Sequence, residues 1–247
     1  MAISIHRILE TNLTLSDGPW PFAEQNAVSI AEAWAEALRR TPAMFNGRVL
    51  VLTAGRREGT RFVGSYATVD YSAFFHYLRA GHNDGSTRNA FSLAALTASD
   101  DGLVLGVMGQ NTANAGRVYF PGGTPDASDV FDGRVNLTAS ALRELEEETG
   151  IGPEDIRPER GYILVEAGTR LAFMKIMRSP LDGPSLARKI EANLVQRNLD
   201  ELAGVRLIRS ADDIDEAIMP EFQCAYIRWW FKTGRYRPRL KDSHSGS

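Results

Sequence analysis

Apolar residues recur at helical spacing in AEQNAVSIAEAWAEALRR, residues 23 to 40, where Ala27, Ile30, Ala31, Trp34, Ala37 and Leu38 fall on one side. Thr41-Pro42 ends that helix, because the residue before a proline is disfavoured in helical geometry. The pattern then changes. RVLVLTAG (48 to 55) and TRFVGSYATV (60 to 69) flank the charged RREG as a hairpin would, and YSAFFHYLRAG (71 to 81) reads as a second helix closed by a glycine. The polar run HNDGSTRN (82 to 89) marks a boundary.

Two apolar runs follow it, AFSLAALTAS (90 to 99) and GLVLGVMG (102 to 109), joined at Asp100-Asp101-Gly102 like the arms of a hairpin. Polar residues 110 to 116 lead to VYFPGG (118 to 123), a long loop, and a helix over about 138 to 149 with Asn136 or Thr138 as its N-cap. GYILVEAGTRLAFMKIM (161 to 177) predicts paired strands, SLARKIEANLVQRNLDEL (185 to 202) a helix, VRLIRS a strand and FQCAYIRWWFKTG (222 to 234) a last helix. There is no internal repeat, and the closing SHSGS is expected to be disordered.

Composition narrows the chemistry by exclusion. The chain has 247 residues, 43% of them hydrophobic, enough for a substantial core, and its net charge of −3 offers no global attraction to nucleic acid or anionic membrane. Cys224 is the single cysteine, which excludes an internal disulfide, a thiolate metal cluster and a redox pair. No apolar run is long enough to span a bilayer, and the first twenty residues lack the pattern of a secretory signal, so a soluble cytoplasmic protein is expected. His6, His76, His82 and His244 are scattered without metal-ligand spacing, and GxSxG, GxxxxGK[ST] and GxGxxG are all absent. RWWFKTGRYRPRLK (228 to 241) mixes basic and aromatic residues, but its aromatics fall at a spacing that suits packing, so no nucleic-acid partner is expected.

What remains is ALRELEEETGI, residues 141 to 151. At about 100° per residue, Glu147 lies roughly 60° to one side of Glu144 and Glu148 roughly 40° to the other, so three carboxylates share one face. Leu142, Leu145 and Ala141 form an adjacent flank able to dock on a sheet, and Glu146 points elsewhere. Like charges four residues apart destabilise a helix by about 0.2–0.5 kcal/mol. A hard divalent cation reverses that sign, since Mg²⁺ takes oxygen ligands and commonly bridges carboxylates to phosphates.

Arg143-Glu144-Leu145-x-Glu147-Glu148-x-Gly150-Ile151 resembles the second half of the Nudix box at every fixed position, and Phe120-Pro121-Gly122-Gly123 is similar to the family's approach to it. The resemblance implies an α/β/α sandwich around a mixed sheet over residues 88 to 240, with an N-terminal α+β extension over 1 to 87 and a tail from 241. It implies that Glu144, Glu147 and Glu148, with the Gly123 carbonyl, are ligands of Mg²⁺ or Mn²⁺, and that Arg143 orients the cluster by pairing with a carboxylate. Gly150 would close the helix. The implied activity is hydrolysis of the diphosphate in a nucleoside diphosphate joined to another moiety. RTPAMFNGRVLVL and GSYATVDYSAFF in the N-terminal part are similar to the branch that hydrolyses UDP-glucose and UDP-galactose, which makes a nucleotide sugar the preferred substrate. The general base could be Glu166, Glu201 or Glu221, and the protein could be a homodimer.

The first half of the box is different. Counting back from Arg143, the expected glutamate falls on Val135 and the expected glycine on Asp129, while Gly123 stands six residues too far upstream. TPDASDVFDGRVN is therefore an insertion that contains no glutamate. Either Asp129 or Asp132 supplies the missing carboxylate, or none does. In the last case a second class of function comes forward, a catalytically silent module that binds a nucleotide ligand and regulates or scaffolds something else.

Overall fold

A computed structural model describes residues 3–42, 44–81, 87–112 and 114–233. The expected disordered tail, His82, His244 and most of the polar boundary run lie outside them. In chain order the elements begin with strands β1 (Ser4–Ile8) and β2 (Glu10–Leu15), helices α1 (Pro21–Gln25) and α2 (Ala27–Arg40), strands β3 (Arg48–Glu58) and β4 (Arg61–Asp70), and helix α3 (Tyr71–Arg79). Strands β5 (Asn89–Thr97), β6 (Leu103–Met108), β7 (Val118–Tyr119), β8 (Gly122–Gly123), β9 (Val130–Phe131) and β10 (Arg134–Val135) come next, then helix α4 (Leu137–Thr149). Strands β11 (Arg157–Pro158), β12 (Tyr162–Ala167) and β13 (Arg170–Arg178), helix α5 (Gly183–Gln196), strand β14 (Leu202–Ile208) and helix α6 (Glu221–Lys232) complete the described chain.

Among the described residues these strands form two mixed sheets. The larger runs β1-β12-β13-β5-β6-β14, with β11 beside β13, β7 on β6 and β8 on β5; the smaller runs β3-β4-β2-β10-β9. In the larger sheet β13 and β5 are parallel, and in the smaller β2 and β4 are. Successive residues of a strand face opposite ways, so β5 sends Leu93 and Ala95 to one side, against Phe222, Ile227 and Trp230 of α6. Ala94 and Leu96 go to the other, against Ala141 and Leu145 of α4 and Leu186 and Ile190 of α5. The result is the expected α/β/α layering around a mixed sheet. The smaller sheet packs on the α4 side through Leu13, Leu52, Phe62 and Tyr66, which meet Leu164, Leu171 and Phe173.

Chain from both sides of residue 87 contributes to each sheet. β1 pairs with β12 in the larger one, Ser4 opposite Glu166, and β10 of the insertion pairs with β2 in the smaller one, Arg134 opposite Thr14. The helix expected at 23 to 40 is divided at Asn26, the one at 185 to 202 stops at Gln196, and Leu202 already belongs to β14. Asn198, with φ of 52°, turns the chain there in the left-handed region that asparagine tolerates.

The hairpin expected at 90 to 109 splays. Among the described residues β5 and β6 pair only at Thr97 and Leu103. VYFPGG fills the gap, with β7 on Gly106 and Val107 and β8 on Ser92 and Leu93. Pro121 cannot donate to a ladder, and the buried side chain of Gln223 on α6 covers the lapse: its Oε1 accepts from the Phe120 N–H at 2.9 Å and its Nε2 donates to the Val118 carbonyl at 2.9 Å. Gly122 has φ of 148°, and a Cβ there would lie 2.4 Å from the Ser92 carbonyl oxygen, so only glycine fits.

Candidate active site

Helix α4 is fixed at both ends. Asn136 caps its start, Oδ1 accepting from the N–H groups of Thr138 and Ala139 at 3.1 Å each. Gly150 ends it at φ of 67°, and Asn193 of α5 donates Nδ2 to the carbonyls of Thr149 and Gly150 at 3.1 and 3.0 Å. With Ala141 and Leu145 buried, the acidic face has a set direction, toward Gly122 and Gly123.

Glu148 is 5% exposed and its Oε1 accepts from the Gly122 N–H at 2.9 Å. Glu144 lies against Gly123, whose absent Cβ would meet its Oε1 at 2.8 Å. Glu147 is the outer member, with 58% of its side chain exposed. Arg143 donates to Glu147 at 3.0 Å and lies 3.1 Å from Glu144. It also donates from Nη2 and Nε to Asp129 at 3.1 and 3.4 Å. Of the two aspartates weighed for the missing carboxylate, Asp129, only 1% exposed, sits against Arg143, while Asp132 occupies the tight turn between β9 and β10 with φ of 49° and is exposed.

Asp129 is held by a short 3-10 turn. Its carboxylate accepts from the Asp126 N–H at 3.0 Å, Asp126 accepts in return from Ser128, and the Asp129 carbonyl accepts from the Asn136 N–H at 2.8 Å. The inserted loop is thereby tied to the N-cap of α4.

Electrostatics set these acids apart from solvated ones. Burial, helped by the charges of Glu201, Glu144 and Glu147, pushes Glu148 up to about 8 against the pull of the Gly122 N–H. Burial together with Glu147 and Glu201 pushes Glu144 up to about 7 although Arg143 opposes it. Glu201 is raised too, by burial, Glu147 and Asp200. The carboxylates around Arg143 therefore outnumber the cation available to balance them. An all-oxygen donor set with excess negative charge fits a hard divalent ion such as Mg²⁺ or Mn²⁺. The acids are near enough to raise one another, yet among the described residues no three His, Cys, Asp or Glu side chains are drawn together in a metal cage.

The site opens on a cleft of about 500 Å³ between the larger sheet and the start of α6. Glu148, Glu201, Gly122 and Gly123 line one part of it, and Asn89, Arg170, Glu221 and Phe222 another, with Arg117 and Tyr119 on the wall. The three candidate bases are separated by this arrangement. Glu201 shares the cleft with Glu148; Glu221 lines it at the first turn of α6; Glu166 is paired with Arg88 at 3.3 Å and His6 at 3.8 Å. Sequence reading did not single out Asn89, Arg117 or Arg170. No motif marks them, and only the parallel register that sets Arg170 beside Asn89 brings two of them together.

No family model matches the chain, and no curated protein matches it significantly. It is similar to a NUDIX hydrolase from Nitrosomonas europaea at 19% identity, over 62% of this chain and 93% of that one, with a TM-score of 0.41. A Nudix hydrolase from M. smegmatis, RenU, is similar at 14% identity over 61% of this chain and 88% of that one, TM-score 0.37. A MutT protein from Methanosarcina mazei Go1 is similar at 15% identity over 60% and 96%, TM-score 0.38. No helix among the described residues is long and apolar enough to cross a membrane.

Proposed function

We propose that this chain is a Nudix-type pyrophosphohydrolase that uses Mg²⁺ or Mn²⁺ to cut the diphosphate of a nucleoside diphosphate joined to another moiety, with a nucleotide sugar as the preferred substrate. The observation that carries the reading is a set of mutually repelling carboxylates, with Glu148 buried and Glu144 half-buried beside the Gly122–Gly123 backbone and the more exposed Glu201 across the same cleft from Glu148. Burying like charges together is unfavourable for folding alone, and such perturbed groups concentrate where chemistry is done.

Glu144, Glu147 and Glu148, with the Gly123 carbonyl, would hold the ion. When bound, it neutralises the diphosphate's non-bridging oxygens and makes an approaching water a stronger nucleophile. The rest falls to the chain. Arg143, clamped by Asp129, keeps Glu144 and Glu147 from swinging into solvent. Arg117, which makes no ion pair among the described residues, is free to hold a phosphate oxygen. Glu201 is our assignment for the base that takes the proton from water as its oxygen bonds to phosphorus; the phosphoanhydride bond breaks and two phosphate monoesters leave. Positioning and charge account for most of the barrier reduction in such reactions.

A second reading, the silent nucleotide-binding module, has one observation in its favour: the acids are not preassembled as a cage. Phosphate release from UDP-sugars, ADP-ribose, NADH, CoA and nucleoside triphosphates, with each metal, separates the two. The enzyme reading expects turnover of at least one compound and a loss of at least about a hundredfold in Glu148→Gln. Turnover unchanged in both Glu148→Gln and Glu147→Gln removes the site; no turnover of any compound by the wild type leaves the silent module.

A further inference from the structure

Asn89 opens β5 on the cleft wall, and its Oδ1 is buried with no hydrogen-bond partner. Neither end of its amide is bonded within the described residues, an arrangement that native proteins seldom keep without use. Arg170 stands beside it, opposite Asn89 in the parallel pairing of β13 with β5, on the same face of the sheet. It lines the same cleft and makes no ion pair among the described residues. Phe91, Tyr119 and Phe222 supply flat apolar surface around them.

We propose that Asn89 and Arg170 form the subsite that reads a nucleobase, through a base edge that sets an N–H donor beside an acceptor. The Asn89 amide has the matching pair, Oδ1 to accept and Nδ2 to donate, and the Arg170 guanidinium adds donors for a second acceptor on the ring. Spacing along the strand agrees. Leu93 pairs with Gly122 next to the acids, and Asn89 is four residues back, roughly 13 Å at about 3.3 Å per residue. A base, its ribose and the first phosphate cover that span. Asn89 thus fixes the direction in which the ligand lies, base toward the start of β5 and diphosphate toward Glu148. The direction rests on the pyrophosphohydrolase reading; recognition of the base does not.

The test therefore uses metal-free protein in EDTA and measures binding of UMP, AMP and ribose 5-phosphate by calorimetry, for the wild type, Asn89→Ala and Arg170→Ala. At least one nucleotide is expected to bind more tightly than ribose 5-phosphate, and Asn89→Ala to weaken it about tenfold, the loss of one well-made hydrogen bond. Ribose 5-phosphate should bind both proteins alike, and the melting temperature of Asn89→Ala should stay level or rise, because an uncompensated buried group has gone. Equal nucleotide binding by wild type and Asn89→Ala overturns the proposal, as does absence of nucleotide binding to the wild type at millimolar concentration. If ribose 5-phosphate is weakened as much as the nucleotide, Asn89 reads sugar and the base assignment is wrong. Base-dependent binding in a protein that turns over none of the diphosphate compounds upholds the subsite and ends the hydrolase reading alone.

Discussion

Glu148→Gln should remove a pH dependence that the metal-free wild type displays. Folding takes Glu148 from an ordinary carboxylate of 4.5 to about 8. Between those values the folded form keeps a proton that the unfolded chain has released, so stability falls as pH rises and levels off once the folded carboxyl has also ionised. The slope is about 1.4 kcal/mol per pH unit at its steepest. Between pH 6 and pH 8 one such group removes about 2–3 kcal/mol, which for a chain of this size lowers the melting temperature by roughly 5–10 °C. Glutamine keeps the Gly122 hydrogen bond through its carbonyl oxygen but carries no charge at any pH, and it relieves Glu144 and Glu201 of a neighbour. The assay is thermal unfolding in EDTA at half-unit steps from pH 5.5 to 9. The wild type should lose stability relative to the variant across that window and recover it on addition of Mn²⁺, by an amount that grows with pH until about pH 8. Parallel curves for the two proteins, or a wild type that gains on the variant with rising pH, would refute the assignment of Glu148 as a buried acid waiting for a cation.

Five further substitutions test the scaffold. Asp129→Asn should cost about 1–3 kcal/mol in urea unfolding, whereas Asp132→Asn, which tolerates the same left-handed turn, should stay within about 0.5 kcal/mol; equal effects would refute the distinction between them. Gln223→Leu strands the Phe120 N–H and the Val118 carbonyl, so a loss of at least about 2 kcal/mol is expected, with faster amide exchange at Phe120. Gly122→Ala places a Cβ on the Ser92 carbonyl and should lower the melting temperature more than Gly116→Ala, where nothing lies within 4 Å.

The strong periodic segments were readable because their burial is local and one-sided. α4 follows its sequence pattern from the Asn136 cap to the Gly150 stop. VYFPGG was visible as a motif but not as a wedge between β5 and β6, since its support comes from Gln223, a polar residue in an apolar helix pattern whose partners are about a hundred residues away. In the site, Glu144, Glu147, Glu148 and Arg143 were legible because a helix converts spacing into direction. Asp129 stood as one of three options, beside Asp132 and no replacement at all, because choosing among them needs the fold of an irregular loop. Asn89 was beyond sequence reasoning, and Glu201 was one of three candidate bases that no pattern could rank, for the same cause: strand pairing across the sheet, not periodicity along the chain, brings them to the cleft.

A motif loop lengthened by six residues would ordinarily go slack. Here β10 docks on β2, so the lengthened loop becomes an outrigger braced on the first strands of the protein. The brace makes the early chain a stakeholder in the acidic site: a deletion of β2, far from Glu148 in sequence, should reach it through Asp129 and Arg143, and trimming the chain back to the larger sheet would unmoor the residue it meant to spare.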